Sequence, residues 1–255
     1  MIFKTLTLNI QNGQPWNEAS PDCDEVDIER TVAFLREQDA DVIFLQEVER
    51  GYDGGEQVEP PPNYAKLKAA IVGYDSVFGY PLKNDLELPF GLGLAIFSKT
   101  KLRDVTRVDL PAADVEFEFD GRKRKPSSRL LLTAATVFGG RAVRLMNTHL
   151  QAYFMIGASS EEHSGQRDAV EAALRDVAEP TVLAGDFNCL AEERVVEQFE
   201  ATGFRAVQKT EITWRRMPYV LDHIFYNGSL RLERQDVIPT LASDHHAVRA
   251  EFSFV

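Results

Sequence analysis

Four short stretches of the chain share one layout, an apolar run followed at once by acids, amides or imidazoles. They are Leu45-Gln46-Glu47, Asn147-Thr148-His149, Gly185-Asp186-Phe187-Asn188 and Ser243-Asp244-His245-His246. Carboxylate and amide oxygens suit a hard divalent cation such as Mg2+, with Mn2+ as the alternative, because these ions prefer oxygen to thiolate or imidazole. A histidine held by a carboxylate can take a proton from water, while such an ion neutralises charge on a phosphate. The chemistry this set points to is phosphoryl transfer to water.

Spacing adds to the case. Asn147 and His149 are two residues apart, as are Asp186 and Asn188, and residues two apart on an extended chain share a side. Each pair is therefore expected to face one ligand. Asp244 and His245 are adjacent and need a turn to serve one centre, which Ala242-Ser243 can supply. Taken singly, Asn9, Asp186, Asn188 and Asp244 are ordinary turn or strand-ending residues. Their joint occurrence carries the argument.

The elements that must position these residues are readable in outline. Residues 3–8 alternate with a strand's period of two and end on Asn9, and Asp41 to Leu45 reads as a buried strand delivering Gln46 and Glu47. A helix through Val32, Phe34 and Leu35 runs to about Gln38. Further strands are expected at 76–78, 93–97, 129–134, 143–148, 181–184, 221–226 and 246–252, and helices at 166–177 and 192–199. Gln11 to Asp24 and Tyr52 to Asn63 read as long loops, the second with a double Gly and a triple Pro, and loops this long tend to face a substrate. Strands outnumber helices without strict alternation. This disfavours a doubly wound sheet or a TIM barrel and favours largely antiparallel sheets packed with a few helices.

At 255 residues, 44% hydrophobic and 27% charged, the chain has the balance of a globular protein with a sizeable core. No repeat or composition shift divides it, so one domain over residues 1–255 is expected, as a monomer. The net charge of -12 repels polyanions and weighs against a non-specific nuclease. The one basic run, Arg122-Lys123-Arg124-Lys125 followed by Arg129, reads first as a solvated hairpin tip and second as a source of phosphate contacts. Cys23 and Cys189 fit neither a disulfide framework nor a zinc site, which suggests a reducing, cytoplasmic setting. Cys189 reads as a buried filler, and His163 and His246 as structural. Trp16 and Trp214 are candidates for stacking on a base or headgroup. Neither a basic leader nor a membrane-spanning apolar stretch is present in the sequence.

In order along the chain, Thr7-Leu8-Asn9, Leu45-Gln46-Glu47-Val48, Asn147-Thr148-His149-Leu150, Gly185-Asp186-Phe187-Asn188, Leu221-Asp222-His223-Ile224 and Ser243-Asp244-His245 resemble the motifs of the endonuclease/exonuclease/phosphatase superfamily. That superfamily includes apurinic/apyrimidinic endonucleases, pancreatic-type deoxyribonucleases, neutral sphingomyelinases, inositol-polyphosphate 5-phosphatases and tyrosyl-DNA phosphodiesterases. The resemblance implies an α/β (α+β) fold, a four-layer α/β/β/α sandwich of two mostly antiparallel sheets. It further implies Glu47 as principal metal ligand with Asn9 and Asp244 beside it, and Asp186 and Asn188 orienting the attacking water and binding the phosphate. His245, oriented by Asp222, would be general base or phosphate contact, and His149 a donor to a phosphate oxygen. Gln11 stands where some abasic-site enzymes carry an acid, and His149 where they often have a Tyr-containing segment. Both departures shift the resemblance toward the deoxyribonuclease, sphingomyelinase and tyrosyl-DNA phosphodiesterase branch.

The expected activity is hydrolysis of a phosphodiester, in nucleic acid, a lipid headgroup or a small metabolite. Monoester hydrolysis of a small phosphorylated metabolite or inositol phosphate is the alternative, followed by a non-catalytic phosphate-binding scaffold.

Overall fold

The computed structural model describes residues 1–21, 25–83, 90–175 and 177–255. Cys23 and part of the first long loop lie outside the described residues, as does residue 176 in the helix expected over 166–177.

Two six-stranded sheets face each other. The first contains β1 (Ile2–Asn9), β2 (Val42–Gln46), β4 (Asp75–Gly79), β6 (Leu94–Ser98), β15 (Leu230–Ile238) and β16 (Ala247–Phe254), in the order β15-β16-β1-β2-β6-β4. The second contains β7 (Arg103–Asp109), β10 (Leu130–Phe138), β11 (Arg141–His149), β12 (Thr181–Asp186), β13 (Phe204–Ala206) and β14 (Asp222–Asn227), in the order β13-β14-β12-β11-β10-β7. Two small antiparallel pairs, β3 (Glu49–Arg50) with β5 (Gly91–Leu92) and β8 (Phe117–Phe119) with β9 (Arg122–Arg124), lie outside them. Each large sheet has a single parallel pair at its centre, β1 with β2 and β11 with β12, and is otherwise antiparallel.

Helices α1 (Ile28–Gln38) and α2 (Pro62–Ala70) cover the outside of the first sheet, and α3 (Gly165–Leu174) and α4 (Val195–Glu200) cover the second. The result is the α/β/β/α sandwich expected. Helix α1 starts where the Asp27 side chain accepts from Arg30 N at 3.2 Å and buries Ile28, Val32 and Leu35 on the sheet. This side-chain cap satisfies one of the helix's free N–H groups. Helix α2, strand β7 and strand β15 carry too weak a period to stand out in the sequence: β7 is exposed along its whole length at a sheet edge.

The alternation of side chains explains where the polar residues go. On β1, Leu6 and Leu8 face the helices, while Phe3 faces the other sheet. The column Phe3, Thr5, Thr7, Asn9 therefore points into the space between the sheets. The same register holds for Val42-Phe44-Gln46, Val143-Leu145-Asn147-His149, Val182-Ala184-Asp186 and, running backwards, Tyr226-Ile224-Asp222. Each inward column begins apolar and turns polar toward one end. Because β1 is parallel to β2 and β11 to β12, and β14 and β16 run opposite, all those polar ends meet at one rim of the sandwich.

One expectation from spacing needs correction. Asn147 does face the same way as His149, yet it meets the opposite sheet rather than a ligand. Its amide donates to Leu45 O at 2.9 Å and Ala95 O at 3.0 Å, and its oxygen accepts from Gln46 Nε2 at 2.7 Å. One turn of the alternation deeper than His149, it lies where the sheets are already in contact, so it serves as a latch between them.

Candidate active site

Asn9 ends β1 and its amide nitrogen bridges two carboxylates, donating to Glu47 Oε1 and Asp186 Oδ2, both at 3.0 Å. Its oxygen accepts from Gln11 N at 3.0 Å. Glu47 follows β2 with φ at 50°, a left-handed conformation that costs a non-glycine residue roughly 1 kcal/mol or more. That turn swings the carboxylate into the rim. Gly91 backs it so closely that a Cβ there would lie 2.4 Å from Glu47 Oε2.

His149 ends β11. Its Nε2 lies 3.6 Å from Asp186 Oδ2 and 3.8 Å from Glu47 Oε1, and its Nδ1 lies 3.0 Å from Arg129 Nη1. Asp186 ends β12, and its Oδ1 accepts from Asn188 N at 3.0 Å, closing a turn that puts Asn188 at φ 48°. Gly185 makes this alignment possible: at φ 156° a Cβ would stand 2.0 Å from Thr148 O on the neighbouring strand. Asn188 Nδ2 donates to Leu150 O at 3.1 Å and lies 2.9 Å from His149 Nε2.

Asp222 opens β14, where Thr213 Oγ1 accepts from the backbone N of Leu221 and of Asp222 at 2.9 and 3.0 Å. Its Oδ2 meets His245 Nδ1 at 2.7 Å. His245 sits in the bend before β16, its backbone N donating to Ser243 Oγ at 3.1 Å, and its Nε2 faces Asp186 Oδ2 at 3.8 Å. Ser243 Oγ also donates to Asn9 O at 2.7 Å, tying the bend to β1. The turn needed for Asp244 and His245 to serve one centre is therefore present.

Asp244 is held from the far side. Its Oδ2 accepts from Trp214 Nε1 at 3.2 Å and Arg216 Nε at 2.7 Å. Gln11, with its amide oriented to satisfy both neighbours, donates to Asp244 Oδ1 at 3.1 Å and accepts from Arg216 Nη2 at 3.2 Å. An acid at position 11 would face Asp244 with like charge, and an amide does not.

The electrostatics follow from burial. Burial raises the Glu47 carboxyl above its usual range, with Asp244 adding to the rise and Asn9 opposing it. Burial and then the charge of Asp222 push Asp186 up to about 7. For His245, burial lowers the imidazolium, but Asp222, Asp186 and Asp244 more than offset it, and the value rises to about 10. His149 goes the other way, well below the ordinary imidazole range, through burial and the positive charge of Arg129. These are the marks of a buried acidic cluster short of positive charge.

Ligand atoms of Asp186, Asp222 and His245 all lie within 4.8 Å of one another, and the buried Asp222 Oδ1 has no hydrogen-bond partner among the described residues. With Glu47 and Asp244 alongside, the donor set is dominated by hard oxygens, which fits Mg2+ or Mn2+.

All eight residues expected at the centre, Asn9, Glu47, His149, Asp186, Asn188, Asp222, Asp244 and His245, are thus brought to one rim. Arg129, Trp214, Arg216, Thr213, Ser243 and Gly91 join them. Trp214 is not a free stacking platform: it packs beside His245, ring centroids 6.3 Å apart, and bonds Asp244. Trp16 lies under Arg216, 5.5 Å from the guanidinium carbon. His223 points to the opposite face against Phe187 and Phe225, and His163 stacks on Tyr153. Cys189 is buried and burial pushes its thiol up to about 12, so it is no nucleophile at neutral pH. Arg122, Lys123 and Arg124 of the basic run form β9, paired with β8, with Arg122 and Lys123 exposed and Arg124 buried. No helix among the described residues is long and apolar enough to cross a membrane.

Comparison with known proteins agrees with this fold. A UPF0294 protein of Yersinia enterocolitica is 32% identical over 139 residues, which cover 51% of this chain and 52% of that protein. The chain spans about half the length of the curated relatives it matches. Among solved structures, an endonuclease/exonuclease/phosphatase from Beutenbergia cavernae superposes with a TM-score of 0.72 at 22% identity, covering 99% of this chain and 72% of that one. A mannosyl-6-phosphatase from Bacteroides thetaiotaomicron gives 0.69 at 17% identity over 99% of this chain and 100% of its own. Both share the fold. The family model for the Endonuclease/Exonuclease/phosphatase family matches residues 6–245, from within β1 to His245 itself, and the chain belongs to that family.

Proposed function

We propose that this protein is a divalent-metal-dependent phosphodiesterase acting at the rim where the two sheets' polar columns meet. The observation that carries the reading is the buried Asp222–His245 pair, 2.7 Å apart, facing Asp186 beside Glu47. Family membership supports hydrolysis of phosphoesters, and the diester is our finer reading.

Glu47 is assigned as principal ligand of the ion, with Asp244 and Asn9 beside it. Mg2+ or Mn2+ held by these residues would supply positive charge opposite the phosphate and the surrounding carboxylates. Asp222 fixes the His245 ring so that Nε2 faces the reacting side, where it accepts the proton of the attacking water. Asp186, 3.8 Å from that nitrogen, orients the water. His149 and Asn188, whose Nε2 and Nδ2 lie 2.9 Å apart, are assigned to a non-bridging phosphate oxygen.

A monoester substrate is the second reading, favoured by the net charge of -12, which repels long polyanions; a mannosyl-6-phosphatase has the same fold. The test is a substrate panel with Mg2+: bis-p-nitrophenyl phosphate, p-nitrophenyl phosphate, single- and double-stranded DNA, RNA, sphingomyelin and inositol phosphates. Turnover of diesters above monoesters, stopped by EDTA, is expected. Turnover of monoesters alone transfers the assignment to the second reading, and none at any metal overturns both.

A further inference from the structure

Asp244 stands in the rim with a guanidinium already in contact with it. Arg216 Nε donates to Asp244 Oδ2 at 2.7 Å, and Trp214 Nε1 donates to the same oxygen at 3.2 Å. Two donors occupy the two lone pairs of that oxygen. Oδ1 is less committed. Gln11 donates to it at 3.1 Å. Ser243 Oγ lies 3.4 Å from it, but the single hydroxyl proton goes to Asn9 O at 2.7 Å. Gln11 and Ser243 both also bond Asn9, so Oδ1 is the oxygen on the Asn9 side, where the Asn9 amide meets Glu47.

The first long loop holds the guanidinium in place. Arg216 Nη2 donates to Pro21 O at 2.8 Å and to Gln11 at 3.2 Å, and the guanidinium carbon lies 5.5 Å from the centre of the Trp16 ring. At that distance an aromatic face attracts a cation. The position of Asp244 does not depend on this side chain. Arg215 N donates to Asp244 O at 2.9 Å and His246 N to Thr213 O at 2.7 Å, which fastens the bend to residues 213–215. Trp214 and Gln11 hold the carboxylate itself. Among the described residues, Arg216 alone brings a full charge into hydrogen-bond contact with that carboxylate, and an arginine keeps its charge throughout the working pH range.

We propose that Arg216 is a resident counter-ion of the candidate metal centre, withdrawing Asp244 Oδ2 from a divalent cation and weakening the centre's hold on it, a role that rests on the metal-dependent reading above. Asp244 then has only Oδ1 to offer toward Glu47 and Asn9. A cation on that side meets the like charge of the guanidinium behind Asp244, in surroundings where water screens poorly. The first loop, by holding Arg216, thereby sets the metal affinity of a rim it does not itself line with carboxylates.

The test is Mn2+ binding to the EDTA-treated, desalted chain at low salt, read from the electron paramagnetic resonance signal of the free ion. Arg216→Gln, which can still donate to Oδ2 but carries no charge, should bind Mn2+ about 10-fold more tightly than wild type. Arg216→Lys, which keeps the charge, should stay within about 3-fold of wild type. Arg216→Met should shift binding in the same direction as Arg216→Gln and replaces it if a thermal midpoint shows that variant unfolded. Equal affinity in wild type and Arg216→Gln overturns the proposal. So does weaker binding in Arg216→Gln, which would make Arg216 a residue that positions Asp244 for the ion. Tightening in Arg216→Lys as large as in Arg216→Gln overturns it too, since charge would then not be the cause. Binding is read without turnover: the expected shifts in a chain that hydrolyses no phosphoester would overturn the functional reading and leave the role of Arg216 standing. An absence of Mn2+ binding in both wild type and Arg216→Gln overturns both.

Discussion

At the scale of single residues, the site is a set of buried charges that stabilise one another only in particular protonation states. His245 is the clearest case. Its folded value of about 10 stands above the ordinary imidazole value of 6.5 because Asp222, Asp186 and Asp244 outweigh burial. The stabilisation is therefore fully present below about pH 6.5 and is lost as pH rises toward 10. Asp222→Asn removes the partner at 2.7 Å, so in EDTA the variant should be less stable than wild type near pH 6.5. The gap in urea-unfolding free energy should then narrow as pH rises to about 10. A gap that stays constant or widens over that range would show that the Asp222–His245 pair is not the source. The same substitution should reduce turnover by about 100-fold or more, since it disturbs both the tautomer and the orientation of the ring.

At the scale of elements, the site exists because the inward-facing columns of β1, β2, β11, β12 and β14 end on polar residues at the same rim. The latch below it is a separate feature. Asn147 makes three buried hydrogen bonds across the two sheets, and Asn147→Ala leaves Leu45 O, Ala95 O and Gln46 Nε2 short of a partner. A loss of about 2–4 kcal/mol in urea unfolding is expected, from the desolvation penalty of buried unpaired groups. A change below about 0.5 kcal/mol would remove Asn147 from the account of how the sheets are held. Much of the rim was legible in the sequence, because Asn9, Glu47, His149 and Asp186 each directly follow or end a short apolar run whose period names the strand. Asn147 was misread for a physical reason: alternation gives the face a residue points to, not the depth at which the opposite sheet closes over it. Arg129 could be found only as part of a basic run, since its contact with His149 depends on the register of β10 against β11. Trp214 and Arg216 reach Asp244 through a bend that no local period encodes. The central parallel pairs, on which the meeting of all the column ends depends, were likewise invisible to patterns that describe one strand at a time.

At the scale of the whole molecule, an acidic chain with net charge -12 concentrates four carboxylates, Glu47, Asp186, Asp222 and Asp244, at one end of its inter-sheet core. Such a concentration is costly without compensating charge, and a divalent cation is the economical remedy at a site built of oxygens. A bound cation would also separate local from global electrostatics: a surface that repels long polyanions could then still draw one phosphate group to the rim. The account therefore stands or falls on whether the rim is a metal-dependent phosphoester centre. The most direct measurement is hydrolysis of bis-p-nitrophenyl phosphate in Mg2+ by wild type, Glu47→Ala and His245→Ala, each with and without excess EDTA and each checked for folding by its thermal midpoint. The account predicts wild-type turnover that EDTA removes and a loss of about 1000-fold or more in both folded variants. Full activity in EDTA, or unchanged turnover in both variants, would contradict it.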